Sequence, residues 1–245
     1  MQCRSAFATL DYSYFIAANS KRFGQTPLVR LCDDGAYRLT DEFRSMLEQT
    51  TFRTFFTDTV EAGLFNALAL AESSRKHHIR QNHGFLYGEK YSVFDVMRLC
   101  GWPAEQVPQN VGGYKLETET GSLPIFIKYE ASQYGDRFLN PGEIEWFSKN
   151  NRSLKSNEFR WLLDGTERTP EWQNRHFVPI FIRRKAEEQE KSYYFVGNAV
   201  ALDDVRASVN PGEDGSESKV VISTLKLGKP VDPELYRHLT GKSAL

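Results

Sequence analysis

The chain has 245 residues, 40% hydrophobic and 13% aromatic, with 31 basic against 32 acidic side chains. That composition excludes a disordered chain, and the near-neutral balance excludes a non-specific nucleic-acid coat, while a specific reader with local basic patches stays open. No apolar run reaches membrane-spanning length and no signal peptide is present, so a soluble cytoplasmic protein without a membrane partner is expected, with room for one large domain or two small ones.

In chain order, Phe7 to Phe23 reads as helix, with Leu10, Tyr14 and Ala17 on one side. Thr40-Asp41-Glu42 reads as a helix start ahead of Phe43, Met46 and Leu47. Asp58 is placed as the cap of a further helix, in which Val60, Leu64, Ala67, Leu68 and Ala71 recur at helical spacing and Gly63 is the weak point. A polar break from Ser73 to His83 marks the expected boundary between a helical connector, 1–80, and a second domain, 81–245. His77, His78 and His83 have no Cys or carboxylate at ligand spacing, and Cys3, Cys32 and Cys100 are odd in number and scattered. Solvated histidines and incidental thiols are therefore expected, with no metal site and no disulfide framework.

Ser92 caps a short helix through Leu99, which Gly101 ends; Pro103 and Pro108 keep the next stretch irregular. Strands are then expected at Val111 to Leu116, Leu123 to Tyr129, Ile144 to Ser148, Phe177 to Arg183, Tyr193 to Ala201 and Val220 to Leu227. Helices at Asn157 to Leu163 and Pro233 to Leu239 accompany them, and Val209 to Ser218 reads as an acidic turn. The fold class expected is α+β: a helical N-terminal segment, then a mixed, curved β-barrel with a few peripheral helices.

The stretch from Pro124 to Ser156 carries the chemistry. A short apolar strand leads to Tyr134, Asp136, Phe138 and Trp146, followed by a basic, hydroxyl- and amide-rich run. Aromatic faces stack on an unpaired base, a carboxylate accepts from an exocyclic amine, and Lys or Arg with Ser or Asn grips phosphates. The candidate base pocket is Tyr134, Asp136, Phe138, Trp146 and Ser148, with Asp136 as the reader of the base edge. The candidate backbone contacts are Lys149, Asn150, Asn151, Arg152, Lys155 and Ser156, with Arg183 and Arg184 as a second cluster that Glu187, Glu188 and Glu190 partly neutralise. The same residues also suit an antiparallel hairpin whose aromatics fill a core. Asn110-Val111-Gly112-Gly113-Tyr114 reads as a turn in which Tyr114 could flank a pocket.

The order and spacing of several short runs resemble the DUF3427 family, a domain found at the C-terminus of DEAD/DEAH-type helicase proteins. They are Tyr87-Gly88-Glu89-Lys90-Tyr91-Ser92, Asp95-Val96, Asn110 to Tyr114, Pro124 to Tyr129, Tyr134 to Phe138, Trp146-Phe147-Ser148, Leu154-Lys155-Ser156, Phe181-Ile182-Arg183 and Tyr193 to Gly197. In some Type IV restriction enzymes such a domain follows a nuclease and a helicase and recognises modified cytosine through an SRA-like fold. The resemblance thus implies an SRA/PUA-like barrel, double-stranded DNA with modified cytosine (foremost 5-methylcytosine) as ligand, and helicase and nuclease domains as partners in cis or trans.

Catalysis is not expected of this chain. It has no G-x-x-x-x-G-K-[ST] loop and no H-x-K signature, and Asp203-Asp204 and the pair Glu143/Glu145 stand at no recognisable spacing from a lysine. Neither catalytic residues nor cofactors are expected. The rival readings are a helicase-docking interaction module and, less favoured, a metal-dependent nuclease.

Overall fold

The computed structural model describes residues 2–21, 26–76, 81–129, 135–164, 171–211 and 217–241. The chain divides into two compact units, Met1–Leu86 with Met97–Gln106, and Tyr87–Val96 with Val107–Leu245.

The first unit opens with α1 (Gln2–Leu10) and α2 (Ala17–Ser20). The helix expected to continue to Phe23 is broken, because the Asp11 carboxylate accepts the Ser13 N–H at 2.8 Å and Tyr12 sits at φ 66°. The hairpin β1 (Val29–Leu31) and β2 (Tyr37–Leu39) follows. Next comes α3 (Asp41–Glu48), whose N-cap Thr40 hydroxyl accepts from the Phe43 N–H. Helix α4 spans Thr50–Lys76, 27 residues, so Asp58 lies in its interior and not at its cap. The earlier start has a packing cause: Phe52 and Phe56 meet Phe43 edge-on at 6.2 and 5.3 Å, which extends the helix back past Asp58. A short hairpin, β3 (Gln81–Asn82) and β4 (Phe85–Leu86), closes this part of the chain. The Glu105 carboxylate is buried and accepts from the Ile16 N–H at 3.1 Å and from Asn19 Nδ2 at 2.9 Å, which ties α2 down.

The second unit is built on one sheet. Its strands are β5 (Lys90–Ser92), β6 (Ile125–Tyr129), β7 (Arg137–Asn140), β8 (Glu143–Phe147), β9 (Val178–Arg184), β10 (Ser192–Pro211) and β11 (Glu217–Leu227). Helix α5 (Val93–Leu99) starts at a cap in which the Ser92 hydroxyl accepts the Asp95 N–H and donates to the Asp95 carboxylate. Helices α6 (Pro108–Val111), α7 (Asn157–Leu162), α8 (Trp172–Arg175) and α9 (Pro233–Thr240) complete the order. The seven-stranded sheet runs β6-β9-β10-β11-β8-β7, with β5 pairing the start of β10; β6 and β9 are parallel and the other pairs antiparallel.

Register shifts between Phe195 and Gly197, Ala199 and Ala201, and Asp203 and Arg206 fall on the long strand β10. Each inserts local bend and twist, so the sheet curls into a half-barrel. Parallel pairing suits β9, an almost uninterrupted apolar run buried on both faces. One face carries Ile125, Ile127, Ile180, Ile182, Val196 and Leu225 into the main core. The other stacks Phe126 on Phe181 at 5.3 Å, with Phe195 beside them. The unit is therefore α+β with a curled sheet and peripheral helices.

One local expectation changes. Val111 to Leu116 is not a strand: Pro108 sits in the first turn of α6, Gly112 ends it at φ 48°, and Tyr114 forms only an isolated bridge to Ile125. On β8, Glu145 pairs with Arg137 and Arg206 at 2.9 and 3.0 Å. Asn157–Leu162 and Pro233–Thr240 are helical as read, and the Asp232 carboxylate caps the latter through the Leu235 N–H. Among the described residues no helix is long and apolar enough to cross a membrane.

Candidate functional site

A cavity of about 320 Å³ opens in the second unit, lined by Gly112, Gly113, Tyr114, Phe126, Lys128, Asp136, Trp146, Phe147, Ser148, Lys149 and Tyr193. Five separate segments supply it. The Gly112-Gly113 turn, with φ of 48° and 90°, brings the backbone in after α6, a conformation that favours glycine. Strand β6 contributes Phe126 and Lys128, β8 contributes Trp146 and Phe147, and β10 contributes Tyr193.

Trp146 is 2% exposed and forms the deep wall, with Tyr114 edge-on at 5.0 Å and Phe159 stacked behind at 5.9 Å. The Tyr114 hydroxyl donates to Glu158 at 3.0 Å and accepts the Lys149 N–H at 3.3 Å. Lys149 folds back so that Nζ donates to the Val111 carbonyl at 2.6 Å and lies 4.6 Å from the centre of the Tyr114 ring. Burial, with the nearby Arg152 charge, lowers the Lys149 ammonium to about 8, against an opposing pull from Glu158. Ser148 is fully buried; its hydroxyl accepts the Val221 N–H at 2.8 Å and donates to the Lys149 carbonyl at 3.0 Å. It therefore fixes the turn that carries Lys149.

Asp136 stands just before β7. One carboxylate oxygen accepts the Phe147 N–H at 2.7 Å. Burial pushes its carboxyl up to about 7, the hydrogen bond opposes that rise, and the Glu145 charge adds to it. Near neutral pH this carboxyl is poised between donor and acceptor. Gly135 leaves room for the adjacent ring: a Cβ there would meet Phe147 at 3.1 Å.

Among the residues singled out from sequence, Asp136, Trp146, Ser148 and Lys149 come together here, together with the Gly112-Gly113-Tyr114 turn. Tyr134 lies outside the described residues. Phe138 points into the core instead, against Tyr129 at 5.9 Å and Tyr236 at 5.1 Å. Asn150 is half-buried beside the cavity turn, and Asn151 takes a left-handed φ of 59° in the exposed bend that follows. Arg152 pairs with Glu158 at 2.9 Å, Lys155 is exposed, and Ser156 is the N-cap residue of α7, its hydroxyl accepting the Ser153 N–H. Arg183 is 5% exposed, its guanidinium 4.5 Å from the centre of the Tyr193 ring and donating to the Glu188 carbonyl, while Arg184 ends β9 half-buried. Sequence reasoning left out Phe126, Lys128, Phe147 and Tyr193. The signal for the first two was the pattern of strand β6, whose exposed Lys128 follows three buried apolar residues.

The model of a domain of unknown function, DUF3427, matches residues 85–239. The chain belongs to the DUF3427 family. A second domain of unknown function, DUF8090, matches residues 1–71. No curated protein matches the chain. Among solved structures, the DUF3427 chain is similar to the DNA recognition domain of the cytosine modification-dependent restriction endonuclease LpnPI, with TM-score 0.40 and 13% identity over 65% of this chain and 89% of that one. It is also similar to the sulfur binding domain and SRA domain of ScoMcrA complexed with phosphorothioated DNA, with TM-score 0.36 and 15% identity over 63% of this chain and 45% of that one. The SUVH5 SRA domain in complex with hemi-methylated CG DNA gives TM-score 0.37 and 13% identity over 63% of this chain and 97% of that one.

Proposed function

We propose that the second unit binds double-stranded DNA and takes a flipped, modified cytosine, foremost 5-methylcytosine, into the cavity between Tyr114, Trp146 and Tyr193. One observation carries the reading: a cavity near the small end of the usual ~300–1,000 Å³ ligand range, walled by aromatic rings, with the Asp136 carboxyl in its lining. Flipping costs a few kcal/mol of unstacking, which stacking on the aromatic walls and hydrogen bonding along the base edge recover.

In this reading Asp136 meets the cytosine edge. Its ionised form accepts from the N4 amine, and its protonated form also donates to N3. Lys149 in the lining, with Arg152 and exposed Lys155 following it in the chain, contacts phosphates and sets register. Strand cleavage and translocation belong to helicase and nuclease domains in cis or trans, which makes this chain the specificity module of a modification-dependent restriction system.

Base flipping is the step to test. A duplex with 2-aminopurine next to the target 5-methylcytosine brightens when the neighbouring cytosine leaves the stack. Fluorescence that rises on adding wild-type protein, and does not rise with Tyr114→Ala protein that retains its fold, supports the reading. Binding without any rise in fluorescence contradicts it.

A further inference from the structure

The lining of the cavity runs from exposed to buried. Gly112 and Gly113 are exposed to water, whereas Trp146 and Ser148 are buried. A ligand that enters past the glycine turn leaves its solvated end there and lays its flat end against the indole.

Positive charge gathers on the glycine side. A Cβ on Gly112 would lie 3.6 and 3.7 Å from Lys149 Cε and Nζ, so the ammonium rests against this backbone. The φ of 48° and 90° at the two glycines keeps the turn free of side chains, and the Gly113 carbonyl, accepting the Phe126 N–H at 2.6 Å, ties it to β6. The ammonium has three protons, and its bond to the Val111 carbonyl uses one of them. Burial and then the Arg152 charge destabilise it; Glu158 opposes them and Lys115 adds to them. Around Lys149, three positive charges thus face one negative. Lys128, the other cation of the lining, pairs with Glu188 at 3.1 Å and adds nothing to this balance. A phosphomonoester carries about −1.5 to −2 charges at pH 7 and matches the excess better than the single charge of a phosphodiester.

We propose that the cavity binds free pyrimidine nucleoside 5′-monophosphates, with the phosphate on Lys149, Arg152 and the Gly112-Gly113 backbone and the base against Trp146. The base half of the inference rests on the reading proposed above, and the phosphate half on the glycine turn and its cations. A bound nucleotide takes the place of the flipped base and competes with DNA.

Calorimetric titration of the full chain tests the two halves apart. The ligands are 5-methyl-2′-deoxycytidine 5′-monophosphate, the same nucleoside without phosphate, and 2-deoxyribose 5-phosphate. The monophosphate should bind about tenfold tighter than the nucleoside, and Lys149→Met should close that gap. Arg152→Gln, at a side chain 40% exposed, should narrow the gap by itself and reads the same contact if Lys149→Met fails to fold. Equal affinity for nucleoside and monophosphate overturns the phosphate subsite and leaves base reading standing. Sugar phosphate bound as tightly as the nucleotide keeps the subsite and overturns base reading. A gap that survives both substitutions, or no binding of the monophosphate at millimolar concentration, overturns the inference.

Discussion

Asp136 accepts the backbone N–H of Phe147 at 2.7 Å, so the carboxyl proposed to read a base is hydrogen-bonded to the strand that supplies the cavity's aromatic wall. Phe147 ends β8 and Asp136 immediately precedes the neighbouring strand β7, and Gly135 allows them to approach, since a side chain there would run into the Phe147 ring. The orientation of the carboxyl is therefore built into the sheet before any ligand arrives.

That burial has a pH signature. The Asp136 carboxyl is raised to about 7 in the folded chain, against about 4 when unfolded. Below pH ~4 both states hold the proton and the group is neutral in its effect. From there to pH ~7 the unfolded state ionises while the folded state keeps its proton, so stability falls as pH rises, by up to about 4 kcal/mol. Urea unfolding of wild type and Asp136→Asn at pH 4.5, 6 and 7.5 should show this slope in the wild type and its loss in the variant.

Gly135→Ala should destabilise the second unit by about 1–2 kcal/mol, because the new methyl sits 3.1 Å from the Phe147 ring and the ring must move into the cavity. DNA affinity should fall more steeply than stability. Denaturant titration beside a binding isotherm separates the two effects.

Trp146→Ala should cost about 3–5 kcal/mol of stability, since the indole is buried between Tyr114 and Phe159. Trp146→Phe retains most of that packing and should fold. Thermal unfolding of both variants checks the order.

Lys155→Ala should leave the fold intact, because the side chain is exposed. If it contacts a phosphate, the slope of log K against log salt should fall by about 1 for modified and unmodified duplexes alike. Binding isotherms at several salt concentrations read this directly.

In the first unit, Glu105→Ala leaves the Ile16 N–H and the Asn19 amide without their buried acceptor. A loss of about 2 kcal/mol is expected, read by denaturant unfolding.

The sheet was legible where residue type and period agree. Val178–Arg184 is an apolar run, and Glu143–Phe147 alternates with Ile144 and Trp146 inward, so both strands lie where the pattern puts them. The cavity was legible only in part, because its walls are brought together by pairings that local sequence does not encode. Trp146 and Asp136 stood out as an aromatic and a carboxylate in one stretch, whereas Tyr193 reaches the site through β10, far along the chain. Phe138 shows the limit of the period-two rule. It shares parity with Asp136, yet β7 begins at Arg137, and Asp136 is set by the Phe147 N–H and not by the strand. Helix α4 was misread at its start because Asp58 is a good cap in isolation, while aromatic packing on Phe43 favours an earlier one.

Recognition of a modified base by the cavity is tested by a fluorescence-anisotropy titration of one duplex in unmodified, 5-methylcytosine and 5-hydroxymethylcytosine forms at two salt concentrations, with wild-type and Asp136→Ala protein. The wild-type protein should bind a modified duplex more tightly, and the variant should lose that preference. Equal affinity of the wild-type protein for all three duplexes would contradict base reading.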